Sequence, residues 1–394
     1  MTIASVICEY NPFHSGHKHQ LNYIRQEIKA DYIVCVMSGD FVQRGEPAIF
    51  SKELRTGWAL ENGADAVFLL PSYYSLAGAD LFSFGAVSFL DKMDCIDYLC
   101  FGSESGDINR ITDCAEVLSK EGTIESPRIK ELMKEGHSYP SARQILIPEY
   151  ADILSEPNNI LALEYVMSLS QLGSSIKPVT LKRDGQGYND SSADSNTRHK
   201  SASALRKLLL SGGKQFLDGS EHLPYELKDV HKPVGIKDFS KELFYALLLN
   251  KENLEDYLDI NEDLANRIKN LLGEFEDADS FALSIKTKNL TYARIMRALA
   301  HVLTDIRETP DSLRKIAQEC EGLRLLGFRE SAQPLLNRIS KSSKFKIITK
   351  VPAEYSSLND ATREVLDKDL FVSALYDKAA GIKTPEYSKK IIIV

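Results

Sequence analysis

The chain has 394 residues, an ordinary apolar content of 43% and a formal net charge of −8 at pH 7. At roughly 100 to 200 residues per domain, this length predicts two or three domains, and the negative charge gives no overall basic signature for nucleic acid. No basic segment precedes an apolar core in the first residues, and no run of about 18 apolar residues occurs, so neither export nor membrane insertion is indicated. The six cysteines form no C-x-x-C pair, which fits a reducing cytoplasm.

Strand and helix patterns alternate through roughly the first 120 residues. Short apolar runs, typical of strands buried on both faces, lie at 3–8, 32–37, 66–70 and 97–101, and helical patterns lie at about 17–29, 51–62, 81–93 and 108–120. The alternation predicts an α/β fold with a doubly wound, Rossmann-like parallel sheet. Because ligands of such sheets bind beyond the carboxyl ends of the strands, the loops after these runs are the candidate site.

The loop after the first apolar run carries the pattern His14-x-Gly16-His17, just before a predicted helix. Gly16 would let a phosphate approach the backbone, where the N–H groups and dipole of the helix start attract anions. The two imidazoles would add donors for the charge that develops during displacement at phosphorus, so the pattern favours ATP chemistry at the α-phosphate. Two interpretations stay open beside it: the histidines only cap the helix, or His14, His17 and His19 bind zinc.

A second pattern, Ser201-x-Ser203-x-x-Arg206, lies far downstream at the start of another predicted helix. Ser201 is a natural N-cap, and Arg206 lies where it could reach the β- and γ-phosphates of a nucleotide. Alone, the pattern fits any capped amphipathic helix. Together and in this order, the two patterns resemble the paired signatures of the HxGH nucleotidyltransferase superfamily. The polar, glycine-containing stretch 184–196 has the composition of a loop that closes over a nucleotide.

Further motifs resemble the bacterial tRNA(Met) cytidine acetate ligase family. They are N-P-F-H-S-G-H at 11–17, M-S-G-D-F-V-Q-R-G-E-P-A at 37–48, N-N-I-L-A-L-E-Y at 158–165 and L-K-R-D-G-Q-G-Y at 181–188. The similarity extends through 292–299, 325–328 and 375–376 and so covers most of the chain. The resemblance implies an enzyme that activates acetate with ATP as acetyl-adenylate and releases pyrophosphate. It then acetylates the exocyclic amine of the wobble cytidine of elongator tRNA(Met), giving N(4)-acetylcytidine. We expect Mg²⁺ to be carried with the ATP.

The resemblance also implies individual substrate contacts. The catalytic residues are His14, His17 and Arg206. The ATP contacts are Ile7, Cys8, Glu9, Tyr10, Asn11, Pro12, Phe13, His14, Ser15, Gly16, His17, Lys18, His19, Gln20, Gly102, Asn158 or Asn159, Arg183 and Asp184, to which the second pattern adds Ser201 and Ser203. Two departures concern local substrate contacts: Asp40 stands where the family usually has Asn, and the loop 184–200 is longer and more polar than expected.

Several of these residues also have a structural interpretation. Asn158 or Asn159 could read the adenine edge, but Asn158 could equally cap the helix predicted over that segment. Gln43 and Arg44, in the second loop, are candidates for holding a carboxylate or an RNA group, unless Arg44 only forms an ion pair with Glu46 that stabilises the loop.

The second half of the chain, residues 215–394, is predicted to form a mainly helical domain after a catalytic domain of residues 1–214. Helical periodicity runs from 241 to about 336. Basic residues then concentrate between 322 and 350, namely Arg324, Arg329, Arg338, Lys341, Lys344, Lys346 and Lys350. Together with Arg294 and Arg297, this cluster predicts a tRNA-binding surface, in which we expect Lys341, Lys344 and Lys346 to contact RNA, although basic faces are often only solvated.

Two other functions fit part of the sequence. A small-molecule adenylyltransferase that transfers AMP to a phosphorylated cofactor precursor would share the ATP site but leave the C-terminal half without an obvious task. A non-enzymatic nucleotide sensor or scaffold would use the pocket alone. Pyrophosphate exchange that depends on acetate and needs no RNA distinguishes the ligase from both.

Overall fold

One mixed sheet runs through the computed structural model, which describes residues 1–121, 126–135, 137, 139–183, 201–213, 222–227, 230–287, 290–342 and 345–394. Its strands are β1 (Ile3–Cys8), β2 (Tyr32–Ser38), β3 (Ala66–Leu70), β4 (Tyr98–Ser103), β5 (Lys177–Lys182), β6 (Gly322–Phe328), β7 (Lys346–Ile348) and β8 (Ile392–Ile393). They follow the order β5-β4-β1-β2-β3-β6-β7, and β8 pairs with β6. Strands β1 to β5 are parallel, whereas β6 is antiparallel to β3.

Helices connect and cover the strands. In the first half they are α1 (Ser15–Gln26), α2 (Lys52–Glu61), α3 (Ser72–Ser75), α4 (Ala79–Lys92), α5 (Ile108–Glu121), α6 (Pro127–Lys134), α7 (Tyr139–Leu146), α8 (Ala151–Ser155), α9 (Pro157–Leu172) and α10 (Ala202–Leu210). In the second half they are α11 (Ser240–Leu249), α12 (Glu262–Leu271), α13 (Ala278–Ile285), α14 (Tyr292–Thr304), α15 (Pro310–Glu319), α16 (Gln333–Ser342), α17 (Val351–Glu354) and α18 (Asp360–Ala380). No helix in the described ranges has the length and apolarity to cross a bilayer.

Side chains of the parallel strands alternate between two buried faces, which explains their continuously apolar sequences. From β1, Ile3 and Ile7 enter one core, and Ala4 and Val6 enter the other. The first core packs against α4, α5 and α9 and continues into helices of the C-terminal half, whereas the second packs against α1, α2 and α10. The predicted doubly wound α/β sheet is confirmed.

The C-terminal half is mainly helical, as predicted, but it contributes β6, β7 and β8 to the same sheet. The helical interpretation of 322–328 is therefore wrong. Two glycines permit the close pairing of β6: a Cβ at Gly322 would lie 2.4 Å from the carbonyl oxygen of Lys346, and one at Gly327 would lie 2.7 Å from that of Ile392. The domain boundary at residue 214 stays a prediction, since sheet and core are both shared across it.

The strand order creates a switch point between β1 and β4. From β1 the sheet grows through β2 and β3 on one side and through β4 and β5 on the other. Loops that leave β1 and β4 therefore diverge, and a crevice opens at the carboxyl edge between them. The loop with the two histidines leaves β1 at this point, and Gly102 lies near the end of β4.

Candidate functional site

A cavity of about 530 Å³ occupies this crevice. Its polar lining comes from Glu9, Tyr10, Asn11, His14, His17, Gln20, Gln43, Arg44, Asn158, Arg183, Ser201, Ser203, Arg206 and Thr291. Its apolar lining includes Ile7, Val42, Ala79, Phe82, Phe101, Ile160, Leu161 and Tyr165. The two sequence patterns and three of the four predicted loops thus contribute to one cavity.

His14 and His17 are held face to face at the start of α1. Nδ1 of His14 accepts the N–H of Gly16 at 3.1 Å, and Nδ1 of His17 accepts the N–H of His14 at 3.2 Å. The two rings stack with their centroids 3.8 Å apart. Because both Nδ1 atoms accept, the proton of each neutral ring lies on Nε2. The capping interpretation is correct, and the caps use Nδ1 of each ring, which is compatible with phosphate binding at Nε2.

Burial keeps His17 neutral. It lowers the pKa of His17 well below the ordinary value, and the positive charge of Arg183, like a proton on His14, lowers the pKa further. The ring also packs against Tyr10 and Phe13, with centroid separations of 4.8 and 5.6 Å. At neutral pH the ring is therefore an oriented, uncharged donor at Nε2.

Gly16 and Gly102 make room for functional side chains. A Cβ on Gly16 would lie 2.9 Å from Cε1 and 3.1 Å from Nδ1 of His14, so a larger residue would push the ring out of its stack. A Cβ on Gly102 would lie 3.2 Å from Cγ of Arg183. These contacts give both glycines a role that the sequence did not reveal, and a close approach of the nucleotide at either remains a prediction.

Arg206 joins the two sequence patterns. Ser201 caps α10, its Oγ accepting a backbone N–H at 3.3 Å, which confirms the predicted N-cap. Arg206 donates from Nη1 to the carbonyl oxygen of Asn11 at 2.9 Å and from Nη2 to Oγ of Ser203 at 3.2 Å. Its Nε lies 3.5 Å from the carboxylate of Glu46. The guanidinium is thus oriented beside the histidine loop.

The charge of the cavity is positive. Its charged lining residues are Arg44, Arg183, Arg206 and Glu9. Burial lowers the pKa of Arg44 and Arg183, while Glu9 and Glu104 respectively oppose the shift. Because arginine is a cation in proteins at neutral pH, three positive charges face one negative charge in this lining. Such a cavity favours an anionic ligand.

Glu104, which sequence reasoning missed, binds the start of α9. Its Oε1 accepts the side-chain amide of Asn158 at 2.6 Å, and its Oε2 accepts the backbone N–H of Asn159 at 2.8 Å. Helix α9 begins one residue before Asn158 and has Glu156 as its N-cap, so the capping interpretation of Asn158 is wrong. Asn158 lines the cavity, whereas Asn159 is 2% exposed and accepts a hydrogen bond from the loop after β4.

The chain matches the HIGH Nucleotidyl Transferase family model over residues 1–390. It is 37% identical to the tRNA(Met) cytidine acetate ligase of Thermoanaerobacter sp. (strain X514), with 96% of each chain covered. It is 36% identical to the protein of that name from Clostridium acetobutylicum, with 100% of each covered.

The chain belongs to the tRNA(Met) cytidine acetate ligase family.

Solved structures agree with this assignment. Thermotoga maritima TmcAL bound with alpha-thio ATP superposes with a TM-score of 0.89 at 27% identity, over 100% of both chains. Its apo form gives a TM-score of 0.91 at 28% identity, again over 100% of both. The family resemblance inferred from the motifs is confirmed, and the chain is an enzyme, a ligase with the nucleotidyltransferase fold. A small-molecule adenylyltransferase is not favoured by these relatives.

Part of the predicted ligase site lies outside the cavity. From the stretch 7–20, the residues that do not line it are Pro12, Phe13, Ser15, Gly16, Lys18 and His19. Phe13 is buried in the core, whereas Lys18 and His19 are exposed. The zinc interpretation gains no support, because the described part of the chain holds no group of three His, Cys, Asp or Glu side chains that could bind a metal ion. Asp184 and the loop 184–200 lie outside the described residues.

The loop after β2 places Gln43 and Arg44 in the lining of the same cavity. The N–H of Gln43 donates to a carboxylate oxygen of Glu9 at 2.9 Å. Gly45 adopts a φ of +78°, and a Cβ there would lie 2.3 Å from the backbone nitrogen of Arg297. The tip of the loop therefore packs against α14, whose first turn also reaches the cavity.

Asp40, at the base of this loop, has a structural role. It is 2% exposed, and its Oδ2 accepts from Nζ of Lys52 and from Oγ of Ser373, both at 2.7 Å. Lys52 also lies 3.0 Å from Glu386 near the C-terminal end. The carboxylate thus balances a buried lysine and ties the loop to α18. An effect of the departure from Asn on local substrate contacts stays a prediction.

Among the residues predicted to contact tRNA, several already have partners. Nζ of Lys346 lies 2.8 Å from Glu321, and Arg324 of the same basic cluster is paired with the buried Glu386. Lys341 is exposed near the end of α16. Lys344 lies outside the described residues.

Helix α14 carries the other two predicted RNA contacts. Arg294 is half-buried in its first turn, where its N–H donates to Oγ of the N-cap Thr291 at 3.3 Å. Nε of Arg297 lies 3.3 Å from the carboxylate of Asp259, with 16% of its side chain exposed. An RNA contact by Arg297 would compete with this ion pair.

Proposed function

We propose that this chain is an ATP-dependent acetate ligase that acetylates elongator tRNA(Met). It forms acetyl-adenylate from acetate and ATP, then transfers the acetyl group to the exocyclic amine of the wobble cytidine, giving N(4)-acetylcytidine. The observation that carries the proposal is the stacked pair of His14 and His17, joined to Arg206 through the loop after β1, at the switch point of the sheet. It occurs in a chain that matches ligases of this name along almost its whole length.

The first step is a displacement at the α-phosphorus. A carboxylate oxygen of acetate forms the new bond to phosphorus, the bond to the bridging oxygen of the β-phosphate breaks, and pyrophosphate leaves with that electron pair. Acetate is ionised at neutral pH, so the protein needs no strong base and has only to position it and stabilise developing charge. The Nε2–H groups of His14 and His17 donate to the α-phosphate oxygens as that charge builds.

The cavity supports one orientation of ATP. Its phosphates lie against the start of α1, with the β- and γ-phosphates toward Arg206, where a forked guanidinium binds phosphate oxygens well. The adenosine extends along the end of β4 past Gly102, toward Arg183 and Asn158. Mg²⁺ arrives on the phosphates as part of the substrate.

The second step transfers the acetyl group to RNA. The exocyclic nitrogen of cytidine attacks the acetyl carbonyl carbon, the bond from that carbon to the phosphate oxygen of AMP breaks, and the nitrogen releases a proton. Gln43 and Arg44 border the cavity and hold the carboxylate or an RNA group. The RNA backbone is contacted by Arg294, Arg297, Lys341, Lys344 and Lys346. The reaction takes place in the cytoplasm, which supplies ATP and tRNA.

Exchange of labelled pyrophosphate into ATP, without RNA, tests the first step. We expect exchange that requires acetate, and its loss in His14→Ala and His17→Ala while both variants still bind tRNA. Exchange that requires a phosphorylated precursor would establish the adenylyltransferase instead. Absence of exchange under any condition would contradict the ligase and favour a nucleotide sensor. Mass analysis of nucleosides from tRNA incubated with acetate and ATP then tests the second step, with N(4)-acetylcytidine as the expected product.

A further inference from the structure

A second, larger cavity of about 1190 Å³ opens beside the first. The two cavities share Arg44, Ser203, Arg206, Thr291 and Ala293. Arg44 and Arg206 therefore line both cavities, and a molecule in the second cavity would lie next to the first. We call the second cavity the basic basin, after the six basic residues in its lining: Arg44, Arg206, Lys207, Lys232, Lys237 and Lys286.

The three acidic residues that line the basic basin are already engaged. The carboxylate of Glu46 lies 3.5 Å from Nε of Arg206. Asp238 lies 2.7 Å from Nζ of Lys232, and Asp279 accepts a tyrosine hydroxyl at 2.6 Å. Six cations against three anions leave the lining an excess of three positive charges, one of which, that of Lys237, is paired at 3.1 Å with Asp277 just outside the lining.

Two lysines on separate segments carry much of this excess. Lys207 lies on α10 and Lys286 follows α13; both are exposed, and neither forms an ion pair with any residue that the structure describes. The lining also has an apolar wall, which includes Leu210, 52% exposed, together with Pro233 and Ile236. Lysines beside an apolar wall suit a single nucleic-acid strand, with phosphates on the ammonium groups and bases on the apolar surface.

We propose that the basic basin holds the single-stranded nucleotides that flank the reacting base in the anticodon loop. The inference rests on the proposed function, because the acetyl acceptor must reach the adenylate past Arg44 and Arg206. Lys207 and Lys286 contact phosphates of the strand. Departing pyrophosphate is also an anion. The basin, however, has more than twice the volume of the first cavity, and a diphosphate would make no favourable contact with its apolar wall.

Binding of an anticodon stem-loop RNA, measured by fluorescence anisotropy over a range of KCl concentrations, tests the basin directly. We compare the wild type with Lys207→Ala/Lys286→Ala. Each phosphate contact to a single strand contributes about 0.7 to the slope of log K against log salt, so two contacts contribute about 1.4. At about 0.15 M salt this predicts a Kd that rises about tenfold, with a slope shallower by about 1.4. Lys207→Arg/Lys286→Arg should restore both values.

Lys315→Ala is the matched control, because Lys315 is 71% exposed, pairs with Glu319 and lines neither cavity. It should leave the Kd and the salt slope unchanged. Unchanged values in the double alanine variant would overturn the basin assignment. A variant that binds RNA normally but releases pyrophosphate slowly would also overturn it, in favour of a product exit. Failure of acetate-dependent exchange in the wild type would count against the proposed function instead, since that assay contains no RNA.

Discussion

Replacing Gly16 with alanine should remove activity while leaving the fold almost unaffected. The new Cβ would lie 2.9 Å from Cε1 and 3.1 Å from Nδ1 of His14. The ring cannot yield in place, because the N–H of Gly16 holds its Nδ1 and the ring of His17 stacks against it at 3.8 Å. We expect the His14 ring to rotate away, which takes its Nε2–H out of reach of the α-phosphate.

The expected effects on stability and on rate differ greatly. Alanine is about 1 kcal/mol better than glycine within a helix, and loss of an N-cap side chain costs about 1 kcal/mol. The two contributions nearly cancel, so the free energy of unfolding should change by less than about 1 kcal/mol. Loss of one preorganised donor to a developing charge slows a reaction by about 100- to 1,000-fold. Acetate-dependent pyrophosphate exchange should fall by that factor in Gly16→Ala.

Gly57→Ala is the matched control. Gly57 lies within α2, and a Cβ there would meet no atom within 4 Å. This variant should gain about 1 kcal/mol in urea unfolding and keep its full exchange rate. Exchange in Gly16→Ala within about threefold of the wild type would refute the role given to the His14 ring. A loss of activity that merely follows a large loss of stability would refute it as well.

Three further predictions concern charge. Arg206→Lys keeps the cation but loses the fork, so KM for ATP in the exchange reaction should rise about tenfold or more; an unchanged KM would remove Arg206 from the phosphate site. Lys52→Met leaves the buried carboxylate of Asp40 without its cation and should cost about 3 to 5 kcal/mol in guanidinium unfolding, whereas a neutral outcome would show that the ion pair is dispensable. Burial raises the pKa of Asp369 to about 7, so the folded state keeps a proton that the unfolded state loses near pH 4. This proton contributes fully to the free energy of unfolding below about pH 4, and the contribution is lost as the pH rises to about 7. In Asp369→Asn, the free energy of unfolding should therefore fall less steeply between about pH 4 and about pH 7 than in the wild type.

The first half of the fold was predictable because its signals are local. A strand buried on both faces reads as a continuous apolar run, and β1, β2, β3 and β4 all lie within about two residues of their predicted positions. Strand β5 lacks such a run, since it lies at the edge of the sheet and its two end residues are exposed. Strand β6 depends on pairing with β3, which lies far away in the sequence, and its apolar residues alone also fit a helix.

The candidate site was predictable to a similar degree. The order of the two patterns and the rule that parallel sheets bind ligands at their carboxyl edge predicted that His14, His17 and Arg206 lie in one site. The hydrogen bond from Arg206 to the carbonyl oxygen of Asn11 shows that the two patterns are in contact. The apolar residues that α4 and α9 contribute to the first cavity were not predicted, because apolar residues at helical spacing usually indicate a buried core. The hydrogen bonds of Glu104 to the start of α9 and the burial of Asp40 were not predicted either, because they depend on tertiary contacts that local sequence patterns do not reveal.

A crystal structure of this chain with a non-hydrolysable ATP analogue would test the central claim most directly. We expect the α-phosphate within hydrogen-bond distance of Nε2 of both His14 and His17, with the adenosine along the end of β4 beyond Gly102. A triphosphate bound away from the stacked histidines would contradict the account.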